Sequence, residues 1–145
     1  MGLKRFCWAA GLLLWGAAQA AETNVMRTIF KGTFSGIQEE SQVVVTNRAG
    51  FEKLWKQHSL KFEPKEPAPE VDFAKETVLA VSLGQKRTGG FSVEISDIRR
   101  AGEKTLVLVK PRSPKQGGFT IQALTAPIHM VAVPKIEGKV EFKAE

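Results

Sequence analysis

The stretch from Thr77 to Leu83 constrains the fold of this chain more than any other. Leu79, Val81 and Leu83 fall on one side of an extended backbone, and Val78 and Ala80 on the other, because successive strand side chains point to opposite faces. A strand apolar on both faces belongs in the middle of a sheet, where neither face meets water. Phe91 to Ser96 alternates apolar with polar residues instead, so one of its faces is expected to be solvated. Thr105 to Val109 reads as another buried strand, and Ala101-Gly102-Glu103-Lys104 between the two as a hairpin turn. Further strands are expected at Phe119 to Ala123, at Ile128 to Val133, and at Lys139 to Lys143 beyond a turn at Gly138.

Upstream, Val25 to Phe34 alternates loosely and is broken by Gly32 and Gly36, the pattern of a short edge strand followed by a turn. Ser41 to Thr46 is β-branched and compact, a better strand. Asn47 then stands where a helix amino-terminal cap is wanted. Phe51, Leu54, Trp55 and His58 follow at spacings that put them on one helical face. Pro64, Pro67 and Pro69, set among charges, rule out helix between Lys61 and Glu70 and favour an extended connector. The connections are short, which favours antiparallel neighbours. The fold expected is α+β, mainly β: mostly antiparallel sheet or sheets with one helix, near residues 47–59, covering an open face.

The amino terminus has the order of a secretory signal peptide. Lys4 and Arg5 precede an uncharged run from Phe6 to Ala21, and Ala18 and Ala20 supply the small residues of a cleavage site. Residues 1–20 are therefore expected to be removed, leaving one domain over 21–145, periplasmic or secreted, with no membrane span. The run holds 16 uncharged residues, whereas a span needs roughly 20. Cys7 stands at the start of this run rather than at its end, so it is not placed as a lipid-modified cysteine and would leave with the peptide. No cysteine would remain for a disulfide, a thiol nucleophile or a cysteine zinc site. Of 21 basic residues two lie in the signal, so 19 face 15 acidic ones, a net of +4 against +6 for the whole chain. These cations are scattered and Tyr is absent, which does not suit a nucleic-acid surface.

Catalytic groups are few. The histidines are His58 and His129, and the aspartates Asp72 and Asp97. No HxH or HExxH spacing points to a metal, and no cofactor motif is present. His129 sits in a strand-like run, His58 closes the apolar helical face, and Asp72 precedes the central strand, where aspartate accepts hydrogen bonds from turn amides. A hydrolase would have to use His129 or His58 with Asp72. A small-ligand or glycan binder would have to use Trp55, which the helix core explains better.

The most distinctive segment is Gly84-Gln85-Lys86-Arg87-Thr88-Gly89-Gly90-Phe91. Its spacing grazes a phosphate loop, but no Lys-Ser or Lys-Thr follows the second glycine and a strand comes next. It reads either as a plain connecting loop whose glycines allow positive φ or as an exposed connection whose two adjacent cations suit contact with another chain. Pro111-Arg112-Ser113-Pro114-Lys115-Gln116-Gly117-Gly118 is similar in kind. The candidate partner-binding residues are Lys86, Arg87, Thr88, Gly89, Gly90, Phe91, Arg112 and Lys115. Whether the two loops meet is open at this level.

Four blocks together resemble the PrcB carboxy-terminal domain family: Phe51 to His58, Val71-Asp72-Phe73, Val78 through the glycine loop to Val93, and Thr125 to Val131. The resemblance spans roughly Arg48 to Lys135. Phe91 stands where the family often has Tyr, and Arg87 where a Pro is common. The resemblance implies a non-catalytic, exported accessory protein of the kind that supports a surface protease complex, with another protein as its partner.

Overall fold

The computed structural model describes residues 25–145; the signal-peptide assignment lies outside them. Seven strands and one helix follow in the order β1 (Arg27–Gly32), β2 (Glu40–Val45), α1 (Arg48–His58), β3 (Glu76–Leu83), β4 (Ser92–Ala101), β5 (Lys104–Arg112), β6 (Ile128–Pro134) and β7 (Lys139–Ala144), with a 3-10 turn at Ser59–Lys61. The first sheet has the order β1-β6-β3-β2 and the second β4-β5-β7. The α+β, mainly β expectation holds.

The two-faced sequence of β3 is matched by two cores. Leu79 and Val81, with Val131 and Val133 of β6, pack against Val93, Ile95, Ile98, Val107 and Val109 of the second sheet. Val78 and Ala80, with Ile128 and Met130, pack against Phe51, Leu54 and Trp55 of the helix. The molecule is thus layered as helix, four-stranded sheet, three-stranded sheet. Each fully buried Val, Leu, Ile or Phe contributes about 1.5–3 kcal/mol over an exposed one, so the central layer is stabilised from both sides.

Helix α1 begins where the sequence places it. The Asn47 side chain accepts a hydrogen bond from the Gly50 amide at 2.7 Å, satisfying one of the amides that a helix start leaves unpaired. Gly50, a weak residue for a helix interior, sits in this first turn. Phe51, Leu54, Trp55 and His58 are all buried, the face their spacing predicted.

One expectation needs correction. The alternating stretch Phe119 to Ala123 forms no strand. Both sides of β6 are occupied by β1 and β3, and the Ala123 amide donates back to the Ile121 carbonyl at 3.0 Å. That tight turn bends the chain away from an extended ladder. The sheets are mostly antiparallel, as expected: β7 pairs with β5 in parallel and the other strand pairings are antiparallel. The connection from β5 to β7 runs through β6 in the opposite sheet, long enough to return in the same direction.

Candidate functional site

The hairpin β4–β5 turns at Gly102 and opens at its far end with Ser92 opposite Arg112. The glycine loop that enters β4 and the basic loop that leaves β5 are therefore neighbours. Gly90, at φ +88°, lies so close to Pro114 that an added Cβ would stand 2.7 Å from the proline Cβ. Gly84 also has positive φ, +72°, a conformation that side chains with a Cβ rarely adopt. The positive-φ reading of this loop is right at these two glycines.

The loop is anchored to the segment that follows the second basic loop. Lys86 and Thr125 exchange backbone hydrogen bonds at 2.7 and 2.9 Å, and the Gly89 amide donates to the Ile121 carbonyl at 2.8 Å. Thr125 Oγ1 donates to the Thr88 carbonyl at 2.8 Å, and Thr88 Oγ1 to the Gly89 carbonyl at 3.1 Å. Lys86 Nζ lies 5.4 Å from the centroid of the Phe91 ring, within cation–π range. Arg87, Arg112 and Lys115 are exposed, and Lys86, Thr88, Gly89 and Phe91 half-buried. All eight residues singled out in the sequence are thus brought to one end of the β4–β5 hairpin.

Sequence reasoning missed the apolar part of this surface. Phe119, Ile121 and Leu124 are 108%, 77% and 60% exposed, although a core would be their ordinary place. Leu124 and Phe34 line a cavity of about 230 Å³ with Gln85, Lys61 and Phe62. The signal for the segment was present, since Gly117-Gly118 precedes it and Pro127 follows, but its alternation imitates a strand.

The catalytic candidates are occupied structurally. Buried His129 accepts a hydrogen bond at Nδ1 from the Ile95 amide at 2.9 Å, which places its proton on Nε2, 3.0 Å from Thr28 Oγ1. Burial, and secondarily the Lys31 cation, hold its pKa below the ordinary value. His58 shares a 3.1 Å hydrogen bond with Ser35 Oγ through Nδ1, and burial lowers its pKa to about 4. Asp72 Oδ1 accepts from the Ala74 amide at 3.0 Å, and its carbonyl accepts from the amides of Lys75 and Glu76, the turn role expected of it. Among the described residues, no three His, Cys, Asp or Glu side chains cluster to hold a metal ion. Nor is any helix among them long and apolar enough to cross a membrane.

These features define a two-sheet, mainly β protein with a basic and apolar loop cluster at one end. Residues 77–134, from β3 through β6, match the PrcB C-terminal family, so the family resemblance read in the sequence holds, and the whole loop cluster falls within the match. The α1 and Val71-Asp72-Phe73 blocks lie outside it. No curated protein and no solved structure matches the chain.

Proposed function

We propose that this chain is an exported, non-catalytic accessory protein that binds a partner protein through the loop cluster, in keeping with the protease-complex role that the family suggests. The observation that carries this reading is the exposure of Phe119, Ile121 and Leu124 on a segment hydrogen-bonded to the cationic glycine loop. Apolar side chains ringed by charge are the common anatomy of a protein interface. Lys86, Arg87, Arg112 and Lys115 suit a partner whose contact surface is acidic at its rim. Export rests on the order of charge, apolar run and small residues in positions 1–20.

The test is capture from an envelope fraction by the wild-type chain and by the variant Lys86→Ala/Arg87→Ala. A species retained by the wild type and lost by the variant, at equal melting temperature, supports the assignment. Equal capture by both removes it. Export is checked separately by sequencing the amino terminus of the protein recovered outside the cytoplasm, where Ala21 is the expected first residue.

A further inference from the structure

The segment 62–66 folds back over the carboxyl end of α1 and borders an open cavity of about 300 Å³ outside the family-matched residues. Half of its lining is aromatic rings, Phe30, Trp55, His58 and Phe62, and Ser59, Glu63, Pro64 and Glu66 complete it. We propose that this cavity binds a quaternary or methylated ammonium group.

The rings form a corner. Phe30 stands nearly perpendicular to Trp55, at 85° with centroids 6.5 Å apart, and Phe62 lies 6.3 Å from Phe30. His58 fills the angle, 4.2 Å from Phe30 and 5.1 Å from both Trp55 and Phe62. Aromatic faces carry the negative lobe of a quadrupole, and several converging on one space attract a cation that is poorly hydrated. The Trp55 indole N–H donates to the Glu66 carbonyl at 2.9 Å. That bond fixes the ring and occupies its one polar atom, so what it offers the cavity is π surface.

Charge supports the same ligand. Glu63 and Glu66 are exposed carboxylate residues at the open side. His58, held uncharged at neutral pH by burial, adds no positive charge to compete. The cations Arg48, Lys56 and Lys65 line an adjoining groove that shares Trp55, Ser59 and Glu66 with the cavity, and none of the three lines the cavity itself. A primary ammonium withdrawn from water requires acceptors for three N–H donors. A quaternary one has no N–H to satisfy and is held by aromatic surface, which Phe30, Trp55 and Phe62 provide, with the carboxylates balancing its charge.

The site is independent of the partner-binding reading and its test is separate. The indole resonance of Trp55, assigned by loss in Trp55→Phe, is followed by NMR while choline chloride is added. The same titration is made with 3,3-dimethyl-1-butanol, which has the shape of choline without its charge. Choline is expected to shift the resonance saturably, and the neutral compound to bind about ten-fold more weakly. Glu63→Gln/Glu66→Gln is expected to weaken choline several-fold with no change in melting temperature, since both side chains are exposed. Phe62→Leu is expected to weaken it as well. No saturable shift with choline, or equal binding of the two compounds, or a double variant that binds choline like the wild type, overturns the proposal. Sedimentation with phosphatidylcholine vesicles identifies the source: binding that Glu63→Gln/Glu66→Gln weakens points to a lipid headgroup, and choline binding without vesicle binding to a free solute.

Discussion

His129 Nδ1, on the central layer, accepts a hydrogen bond from the backbone amide of Ile95, on the edge strand of the second sheet, at 2.9 Å. The bond joins the two sheets at a point where the β4–β5 register shifts between Ile95 and Asp97. Replacing His129 with Leu keeps much of the volume but leaves a buried amide without an acceptor, a loss of about 1–3 kcal/mol. His129→Ala adds a cavity and is expected to cost about 2–5 kcal/mol. Thr28→Val removes only the partner of Nε2 and is expected to cost about 1 kcal/mol. Urea unfolding midpoints measure all three, and faster hydrogen exchange at the Ile95 amide in the His129 variants checks the mechanism.

Acid is expected to destabilise the fold above the range in which carboxylates titrate. The ordinary histidine value is 6.5, and in the fold His58 is held at about 4. Below 6.5 the unfolded chain binds a proton that the folded chain refuses, so stability is full above that pH and lost as pH falls towards 4. At about 1.4 kcal/mol per unit, His58 accounts for a loss on the order of 3 kcal/mol across this window. His129 acts in the same direction. Half-buried Glu94 and Glu141, held below the ordinary carboxylate value chiefly by hydrogen bonds from Lys31 and Lys104, titrate lower. Unfolding midpoints measured across the window test this, together with the His58 ring resonance, which should not titrate until about pH 4.

Changing Ile121 to Asp is expected to leave stability within about 0.5 kcal/mol, because the side chain is exposed. Partner capture is expected to fall about ten-fold or more, as for a truncated interface anchor. The Lys86→Ala/Arg87→Ala loss should shrink as salt rises, since exposed charges are screened, whereas the Ile121 loss should not. Capture titrations at low and high ionic strength distinguish the two.

Gly90 is a close-packed junction between the two loops, and Gly102 a turn residue with open space around it; both have positive φ. Gly90→Ala meets Pro114 as well as an unfavourable backbone, while Gly102→Ala meets only the second. Alanine where φ is positive costs more than the roughly 0.4–1 kcal/mol that loop rigidity can return. Both variants should therefore lose stability, but only Gly90→Ala should also reduce partner capture.

Asn47→Ala is expected to cost about 1 kcal/mol by leaving the Gly50 amide without its acceptor. Loss of helical circular dichroism on mild heating, before the sheets unfold, is the measurement.

The strands, the helix and the facing of β3 were legible because each is a local pattern. A period of two divides Leu79 and Val81 from Val78 and Ala80, and helical spacing gathers Phe51, Leu54, Trp55 and His58. The loop cluster was half legible. The sequence showed both basic loops but left open whether they meet; the hairpin register that brings Ser92 beside Arg112 makes them neighbours. Their contact at Gly90 and Pro114, and the attachment of Ile121 to Gly89, depend on chain that returns from the other sheet.

The sequence by itself determined which residues are apolar on which face, where the helix begins, and that catalytic groups are scarce. Only the tertiary structure decided that Phe119 to Ala123 is an exposed loop, that β7 runs parallel to β5, and that His58 and His129 are buried and hydrogen-bonded, to Ser35 and to Thr28 and the Ile95 amide. The physical reason is that pattern specifies what a segment can bury, whereas a free edge, a hydrogen-bond partner and a desolvated ring nitrogen are supplied by residues distant in the chain.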